Sequence, residues 1–168
     1  MKPPRVDLDT TLRNAQPDPV TLTADPTDRN CLICREHSGD VDVPGGLLDD
    51  GLVITFHRPP LHEATTVYAG HLLITPKRHA PDFASLTQQE AGAIGVAIST
   101  YSGALSRLGA SRVYVATIGH GVDHLHVHLL PRWPNTPDAV AWHCVDQWDG
   151  ARHLSPREIE ELVADLRP

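Results

Sequence analysis

The sequence alternates apolar and polar residues most clearly between positions 124 and 130, which read His-Leu-His-Val-His-Leu-Leu. A period of two is typical of a β-strand with one buried face. Leu125, Val127 and Leu129 are therefore expected to point into a core. The three histidines would share the opposite face, with about 7 Å between successive positions. An exposed strand that happens to be rich in histidine is the plain alternative.

Other segments also have the apolar, β-branched composition of short buried strands. The loop between the first two of them is expected at residues 57–64, because Pro59 and Pro60 cannot lie in a central strand. The predicted additional strands are residues 52–56, 70–75 and 113–118.

Two capping boxes mark helix starts. Thr87 and Glu90 begin a long helix that Gly109 ends, and Ser155 and Glu158 begin a shorter one with proline at its first position. The resulting order β-β-α-β-β-α predicts an α+β domain built on an antiparallel sheet. The apolar face of the long helix, spaced by threes and fours, is predicted to be Ala91, Ile94, Ile98, Tyr101, Leu105 and Leu108.

Length and charge narrow the class of protein. At 168 residues the chain is long enough for one domain with a proper core. The proline-rich residues 1–30 are expected to form an extended arm or a partly disordered tail before it. A formal net charge of −7 without a long basic run argues against a broad nucleic-acid surface. No apolar run approaches the roughly 18 residues of a membrane span, and the first residues lack a signal peptide's apolar core. We therefore expect a cytoplasmic protein that does not bind membranes.

Three histidines on one strand face require a chemical explanation, because imidazole titrates near neutral pH and binds metals. One hypothesis is a metal cluster like the H-x-H pairs of metallohydrolases, although the amidohydrolase barrel usually needs at least about 200 residues. The other is that the middle histidine, His126, attacks phosphorus while its neighbours orient it and move protons. This second hypothesis needs a phosphate site, and the Gly119-His120-Gly121 turn can supply backbone N–H groups for one.

The cysteines raise a separate question. Cys31 and Cys34 form a C-x-x-C pair, and Cys144 stands alone. In a reducing compartment such a pair indicates a metal clip or a redox site more often than a structural disulfide. Two reduced and packed thiols are the alternative.

Taken together, these segments resemble the histidine triad (HIT) superfamily of nucleotide hydrolases and transferases. The resemblance covers roughly residues 31 to 133 and includes separated pieces in the expected order. The pieces are Cys31-Leu-Ile-Cys34, Gly70-His71-Leu-Leu-Ile-Thr-Pro76-Lys77-Arg78-His79, the long helix, Gly119-His120-Gly121-Val122-Asp123, and the triad H-φ-H-φ-H-φ-φ with apolar φ.

The resemblance implies a HIT-like fold over residues 31–168, with a core at 31–133 and a C-terminal extension at 134–168. The fold would be a five-stranded antiparallel sheet with a long packed helix and a short C-terminal helix, paired as a homodimer. His126 would attack the α-phosphorus of a nucleotide, an adenylyl group being the expected one, and form a nucleotidyl-histidine intermediate. His128 would contact the phosphate and assist proton transfer. Backbone N–H groups near Gly119, His120 and Gly121 would bind phosphate oxygens.

The resemblance also implies a closed structural zinc site. In zinc-bearing relatives the C-x-x-C pair is completed by the histidine that ends P-x-x-H and by the first histidine of the triad. In this sequence the zinc ligands would be Cys31, Cys34, His79 and His124.

The sequence departs from the family at two positions. His120 stands where Gln is frequent, and His57-Arg58-Pro59-Pro60 stands where an acid or Asn often contacts the ribose. These changes leave the sugar contacts and the leaving group open. His71 and His120 are expected at the periphery of the site or on the surface. A nucleotide-binding regulatory protein with little turnover stays an alternative, and a catalytic zinc is disfavoured because four protein ligands leave no open position.

Overall fold

The computed structural model describes residues 30–61 and 63–167, so the predicted arm lies outside the described residues apart from its last position. Short 3₁₀ turns occur at Phe83–Ser85 and Trp142–Cys144. The helices are α1 (Leu32–Ser38), α2 (Gln88–Arg107) and α3 (Pro156–Leu166). The strands are β1 (Leu48–Asp49), β2 (Val53–His57), β3 (Val67–Tyr68), β4 (Leu72–Pro76), β5 (Arg112–Ala116), β6 (Val127–Arg132) and β7 (His153–Leu154).

The predicted α+β fold is confirmed. Five strands form one sheet in the order β1-β2-β4-β6-β5, and each neighbouring pair is antiparallel. Strands β3 and β7 pair separately. Helix α2 packs on one side of the five-stranded sheet, and α3 contacts both α2 and β2. No helix within the described ranges is long and apolar enough to cross a membrane.

The triad segment is only partly a strand. Strand β6 begins at Val127, because the backbone N–H of Leu125 donates to the carbonyl oxygen of Ala80 rather than to a strand partner. The predicted alternation nevertheless continues through the segment. Leu125, Val127 and Leu129 are all at most 4% exposed and belong to the main core.

Helix α2 begins as predicted, since Thr87 and Glu90 form a reciprocal capping box. Its buried face differs in part from the predicted one. Ala91 is exposed and Leu108 is 38% exposed at the helix end, whereas Ala97 and Ala104 are buried. Small side chains let the helix approach the sheet closely, which a spacing pattern based on large apolar residues does not reveal.

The register of the sheet defines its two sides. Phe56, Leu73, His128 and Ala116 lie opposite one another in successive strands, and we call their side the histidine face. The other side carries the main core, which α2 covers. Helix α1 packs on the histidine face, since the His37 ring lies edge-on to Phe56 with 6.2 Å between ring centroids.

Arg132, the last residue of β6, holds the segment that follows it through hydrogen bonds. The Arg132 guanidinium donates to the carbonyl oxygens of Val140 and Pro137. Trp142 stays 48% exposed, with its ring 6.2 Å from that of Tyr114, measured between centroids. Helix α3 contributes three buried side chains to the main core, from Ile159, Val163 and Leu166. This part of the chain therefore completes the core.

Candidate functional site

A four-residue cluster lies where the beginning of α1 meets the segment before β6. Its potential ligand atoms all lie within 4.8 Å of one another. The Nδ1 atom of His124 is 3.5 Å from the Sγ atoms of both cysteines. The Nδ1 atom of His79 is 3.4 Å from the Sγ of Cys34. The residues of the cluster, all of them predicted as ligands, are Cys31, Cys34, His79 and His124.

The donor set and its spacing fit a tetrahedral zinc ion. Bond lengths of about 2.3 Å to sulfur and 2.0–2.1 Å to nitrogen imply an S···N separation of about 3.6 Å at a tetrahedral angle. His124 is fully buried, and its Nε2–H donates to the carbonyl oxygen of Pro76. That hydrogen bond leaves Nδ1 as the unprotonated nitrogen facing the cysteines. The predicted metal site is therefore confirmed as a cluster with the chemistry and spacing that zinc requires.

His126 is held in a defined tautomer. Its Nδ1 lies 2.7 Å from the carbonyl oxygen of His124, and because a carbonyl oxygen only accepts, Nδ1 carries the proton. In the neutral ring, Nε2 therefore has a free lone pair. The ring is partly exposed and lies 5.0 Å from the ring of His128, measured between centroids. An oriented imidazole with an available nitrogen is the arrangement that nucleophilic catalysis requires.

His128 is supported by a residue that sequence reasoning placed at the periphery. His71 Nε2 lies 2.9 Å from His128 Nδ1, and His71 is buried. Burial first, and then electrostatic interaction with His126 and Arg58, lowers the pKa of His128 to about 4. The pKa of His71 is lowered well below its ordinary value, again mainly by burial. Both rings are therefore neutral at pH 7, and one donates a hydrogen bond to the other.

The Gly119-His120-Gly121 turn leaves the sheet beside the triad. Pairing of β5 with β6 ends at Ala116, opposite His128, so the following residues start next to His126. All three turn residues are exposed, and Gly119 has a φ of 62°, a conformation that favours glycine. Gly121 also lines a small cavity with His79 and Cys31, so the turn borders the metal cluster.

Three residues of this region were not identified from the sequence as site residues. His37 donates or accepts a hydrogen bond at 2.9 Å with Thr75, and its ring lies 5.6 Å from that of His124, measured between centroids. Arg58 follows β2 on the histidine face, and the buried Glu36 lies on α1. Arg58 was noted in the sequence only as a departure from the family at the position that often contacts the ribose, and no local pattern points to His37 or Glu36.

The fold and the site together define a class: an α+β protein with a cysteine–histidine cluster behind a strand that carries oriented histidines. A family model described as "HIT domain" matches residues 55–135. Residues 55–135 therefore match a HIT domain, and the predicted resemblance to the histidine triad superfamily is confirmed. No curated protein matches the sequence.

Solved structures support the same assignment. A zinc-bound histidine triad family protein from Mycobacterium smegmatis shares 20% identity over 82% of this chain and 94% of its own, with a TM-score of 0.61. A HIT-like protein from Bartonella henselae, described as involved in cell-cycle regulation, shares 19% identity over 83% and 95%, with a TM-score of 0.59. A HIT family protein from Bacillus anthracis shares 26% identity over 67% and 77%, with a TM-score of 0.54. The first two likenesses establish the fold alone.

Proposed function

We propose that the protein is a nucleotide hydrolase or nucleotidyltransferase that acts at the α-phosphorus of a nucleotide through a covalent intermediate on His126. The observation that carries the proposal is the 2.7 Å hydrogen bond from His126 Nδ1 to the carbonyl oxygen of His124. It fixes the ring and leaves Nε2 free to attack. A bond from Nε2 to phosphorus forms while the bond from phosphorus to the leaving group breaks.

His128 would assist the departure of the leaving group in this reaction. When His71 Nε2–H donates to His128 Nδ1, the remaining proton of neutral His128 lies on Nε2, where it can donate a hydrogen bond to the departing oxygen or nitrogen. Water or another acceptor then attacks the same phosphorus, the bond from phosphorus to Nε2 of His126 breaks, and the acceptor's proton passes to the released leaving group or to solvent. After both steps His126 and His128 are in their starting protonation states.

Backbone N–H groups of residues 119–121 would hold the non-bridging phosphate oxygens. The turn begins beside His126, and it is exposed to an incoming substrate. Glycine at both ends lets the backbone approach a ligand closely. An adenylyl group is the nucleotide we propose as the primary substrate.

We propose a structural role for zinc at the cysteine–histidine cluster. A solved structure of the same fold is described as zinc-bound. With four protein ligands the ion would have no open position for substrate. Bound there, zinc would tie α1 to the residue just before His126. The ligand thiols must stay reduced, which agrees with our proposal of a cytoplasmic location.

We also propose a homodimer. The apolar face of α2 was the sequence feature that motivated it, but that face packs on the chain's own sheet. The edge strand β5 offers a better surface, since it pairs only with β6 within the described chain. Val115 in this strand and Ile118 two residues beyond its end are 49% and 68% exposed. Light scattering should give twice the chain mass, and a monomer across a wide concentration range would contradict the dimer.

We further propose that residues 31–168 act as one domain, with 134–168 as an extension of the core at 31–133. The pairing of β7 with β3 and the burial of α3 in the main core support this division. Limited proteolysis should therefore leave residues 31–168 intact as one fragment. Early release of a fragment that ends near residue 133 would contradict the proposal.

The enzymatic proposal is tested with the purified protein and its His126→Ala variant. Adenosine 5′-phosphoramidate, dinucleoside polyphosphates and adenylyl sulfate are screened as substrates, and quenched reactions are searched by mass spectrometry for an adenylyl adduct on His126. We expect turnover and an adduct in the wild type, and loss of both in His126→Ala with unchanged melting temperature. A variant that keeps most of the rate removes His126 from the role. Nucleotide binding without turnover on any substrate would favour the regulatory alternative.

A further inference from the structure

Arg58 extends the line of hydrogen-bonded histidines across the sheet. Its backbone N–H donates to the carbonyl oxygen of His71 at 2.8 Å, so it continues the pairing of β2 with β4. His57 lies opposite Leu72, which belongs to the main core. Because side chains alternate along a strand, Arg58 is on the histidine face. It lies next to His71, on the side of His71 that is away from His128.

The Arg58 guanidinium has no partner among the described residues. It forms neither a hydrogen bond nor an ion pair there, and Arg58 is only partly buried. Its charge nevertheless reaches the site, since it contributes to the lowered pKa values of both His71 and His128. A cation beside two neutral imidazoles can bind an anion.

Glu36 interacts electrostatically with Arg58 but does not form an ion pair with it. Glu36 is 3% exposed, and its Oε2 has no hydrogen-bond partner among the described residues. The Arg58 charge lowers the pKa of Glu36, but burial outweighs it and raises that pKa to about 7. Glu36 and Arg58 therefore influence each other without forming an ion pair, and no described residue occupies the guanidinium donors.

We propose that Arg58 binds a second phosphoryl group of the substrate, separate from the phosphorus that His126 attacks. This inference rests on the proposed function and names the substrate class. Strands β2 and β6 flank β4, so their backbones are about 10 Å apart. A second phosphate of the same substrate can therefore lie against Arg58 while the first is held at His126 and His128. The planar guanidinium binds phosphate through two parallel hydrogen bonds.

The second phosphate could belong to the sugar or to the leaving group. Adenosine 3′,5′-bisphosphate represents the first source and ADP the second, with AMP as the one-phosphate reference. Dissociation constants for the three are measured by calorimetry at fixed ionic strength, because phosphate contacts weaken with salt. The proteins are the wild type, Arg58→Gln, Arg58→Lys, and Arg157→Gln as a control at an exposed position on α3.

We expect the wild type to bind one of the two-phosphate ligands at least about tenfold tighter than AMP, and Arg58→Gln to abolish that preference with little change for AMP. Arg58→Lys should keep part of it, and Arg157→Gln all of it. The preferred ligand identifies the source of the phosphate. No preference in the wild type, no binding of any ligand, or equal weakening for all three in Arg58→Gln would overturn the inference. Binding requires no turnover, so a preference without an adduct on His126 would refute the proposed reaction alone.

Discussion

His71 and His128 share a 2.9 Å hydrogen bond between ring nitrogens although 57 positions separate them in the chain. Antiparallel pairing of β4 with β6 places the two strands side by side, and His71 immediately precedes β4. His71 is buried, so its hydrogen bond orients His128 and limits which nitrogen of His128 carries a proton. His71 is thus a positioning residue for His128, the group proposed to assist the departure of the leaving group.

Replacement of His71 should separate positioning from substrate binding. We expect His71→Leu to lower kcat by roughly 10- to 100-fold with a smaller change in KM, since His128 would lose its oriented tautomer. His71→Gln places an N–H near the position of Nε2 and should recover part of the rate. His153→Gln, at an exposed site, serves as the control. Equal rates for His71→Leu and His71→Gln would indicate a packing role only.

Zinc binding should account for much of the stability of the segment that contains Cys31 and Cys34. Elemental analysis of protein purified without chelator should give about one zinc per chain. Cys31→Ser or Cys34→Ser should lose the metal and lower the melting temperature by roughly 10 °C, because binding free energy at a closed site is also folding free energy. Cys144→Ser, outside the cluster, should change neither. If no zinc is found and added zinc raises no melting temperature, the two cysteines are packing residues.

His124 and His126 should respond differently to the same substitution. His124→Ala removes a ligand and a buried hydrogen bond to Pro76, so stability and rate should fall together. His126→Ala should lower the rate alone. Thermal unfolding and turnover measured on both variants decide the point, and a stable His124→Ala variant with normal zinc content would contradict the assignment.

Buried His57 should make the fold sensitive to acid. Its Nδ1–H donates to the Arg58 carbonyl, its Nε2 accepts from the Gly70 N–H, and burial lowers its pKa from 6.5 to about 4. Between these pH values the unfolded chain binds more protons than the folded one, so stability falls as pH falls. We expect about 2 kcal/mol to be lost from this residue between pH 7 and 5.

Urea unfolding at several pH values measures the effect. His57→Gln should show a smaller loss between pH 7 and 5 than the wild type, whereas the exposed His153→Gln should show the same loss. Glu36 acts in the opposite direction, because burial raises its pKa to about 7 and its proton stabilises the fold below that value. An unchanged pH dependence in His57→Gln would contradict the assignment.

The Arg78–Glu90 pair should contribute far more to stability than an exposed pair. Arg78 Nε and a terminal nitrogen donate to the two Glu90 carboxylate oxygens at 3.0 and 2.9 Å, and the Glu90 side chain is only 7% exposed. Arg78→Ala would leave a buried carboxylate without its cation, so we expect a loss of about 2–3 kcal/mol in urea unfolding. Arg157→Ala breaks the exposed pair with Glu161 and should cost almost nothing. Similar losses in both variants would refute this account.

Much of the fold could be predicted because its signals are local. Thr87 with Glu90 and Ser155 with Glu158 start α2 and α3 where the capping boxes indicated. The alternation around Val127 correctly identified the core-facing residues. The short elements α1, β1, β3 and β7 were missed, since strands of two residues and a seven-residue helix hold too little pattern to be read.

The metal cluster could be predicted because its ligands lie in recognisable motifs, although Cys34 and His124 are 90 positions apart. The environment of the triad histidines could not be predicted from the sequence. The sequence pattern placed all three histidines on one strand face, whereas His124 is fully buried before β6 begins and only His126 and His128 are accessible. A competing hydrogen bond from Leu125 to Ala80 ends the strand there, and no periodicity encodes that bond.

The sequence by itself determined the residue types, the two helix starts, the alternating core positions and the histidine motif, because each depends on neighbours within a few positions. The tertiary structure alone decided that His71 supports His128, that Arg78 pairs with Glu90, and that Arg58 lies on the histidine face with no partner among the described residues. These relationships follow from strand register and helix packing. Strand register is determined by the burial of the whole core, so it cannot be predicted from any single segment of the chain.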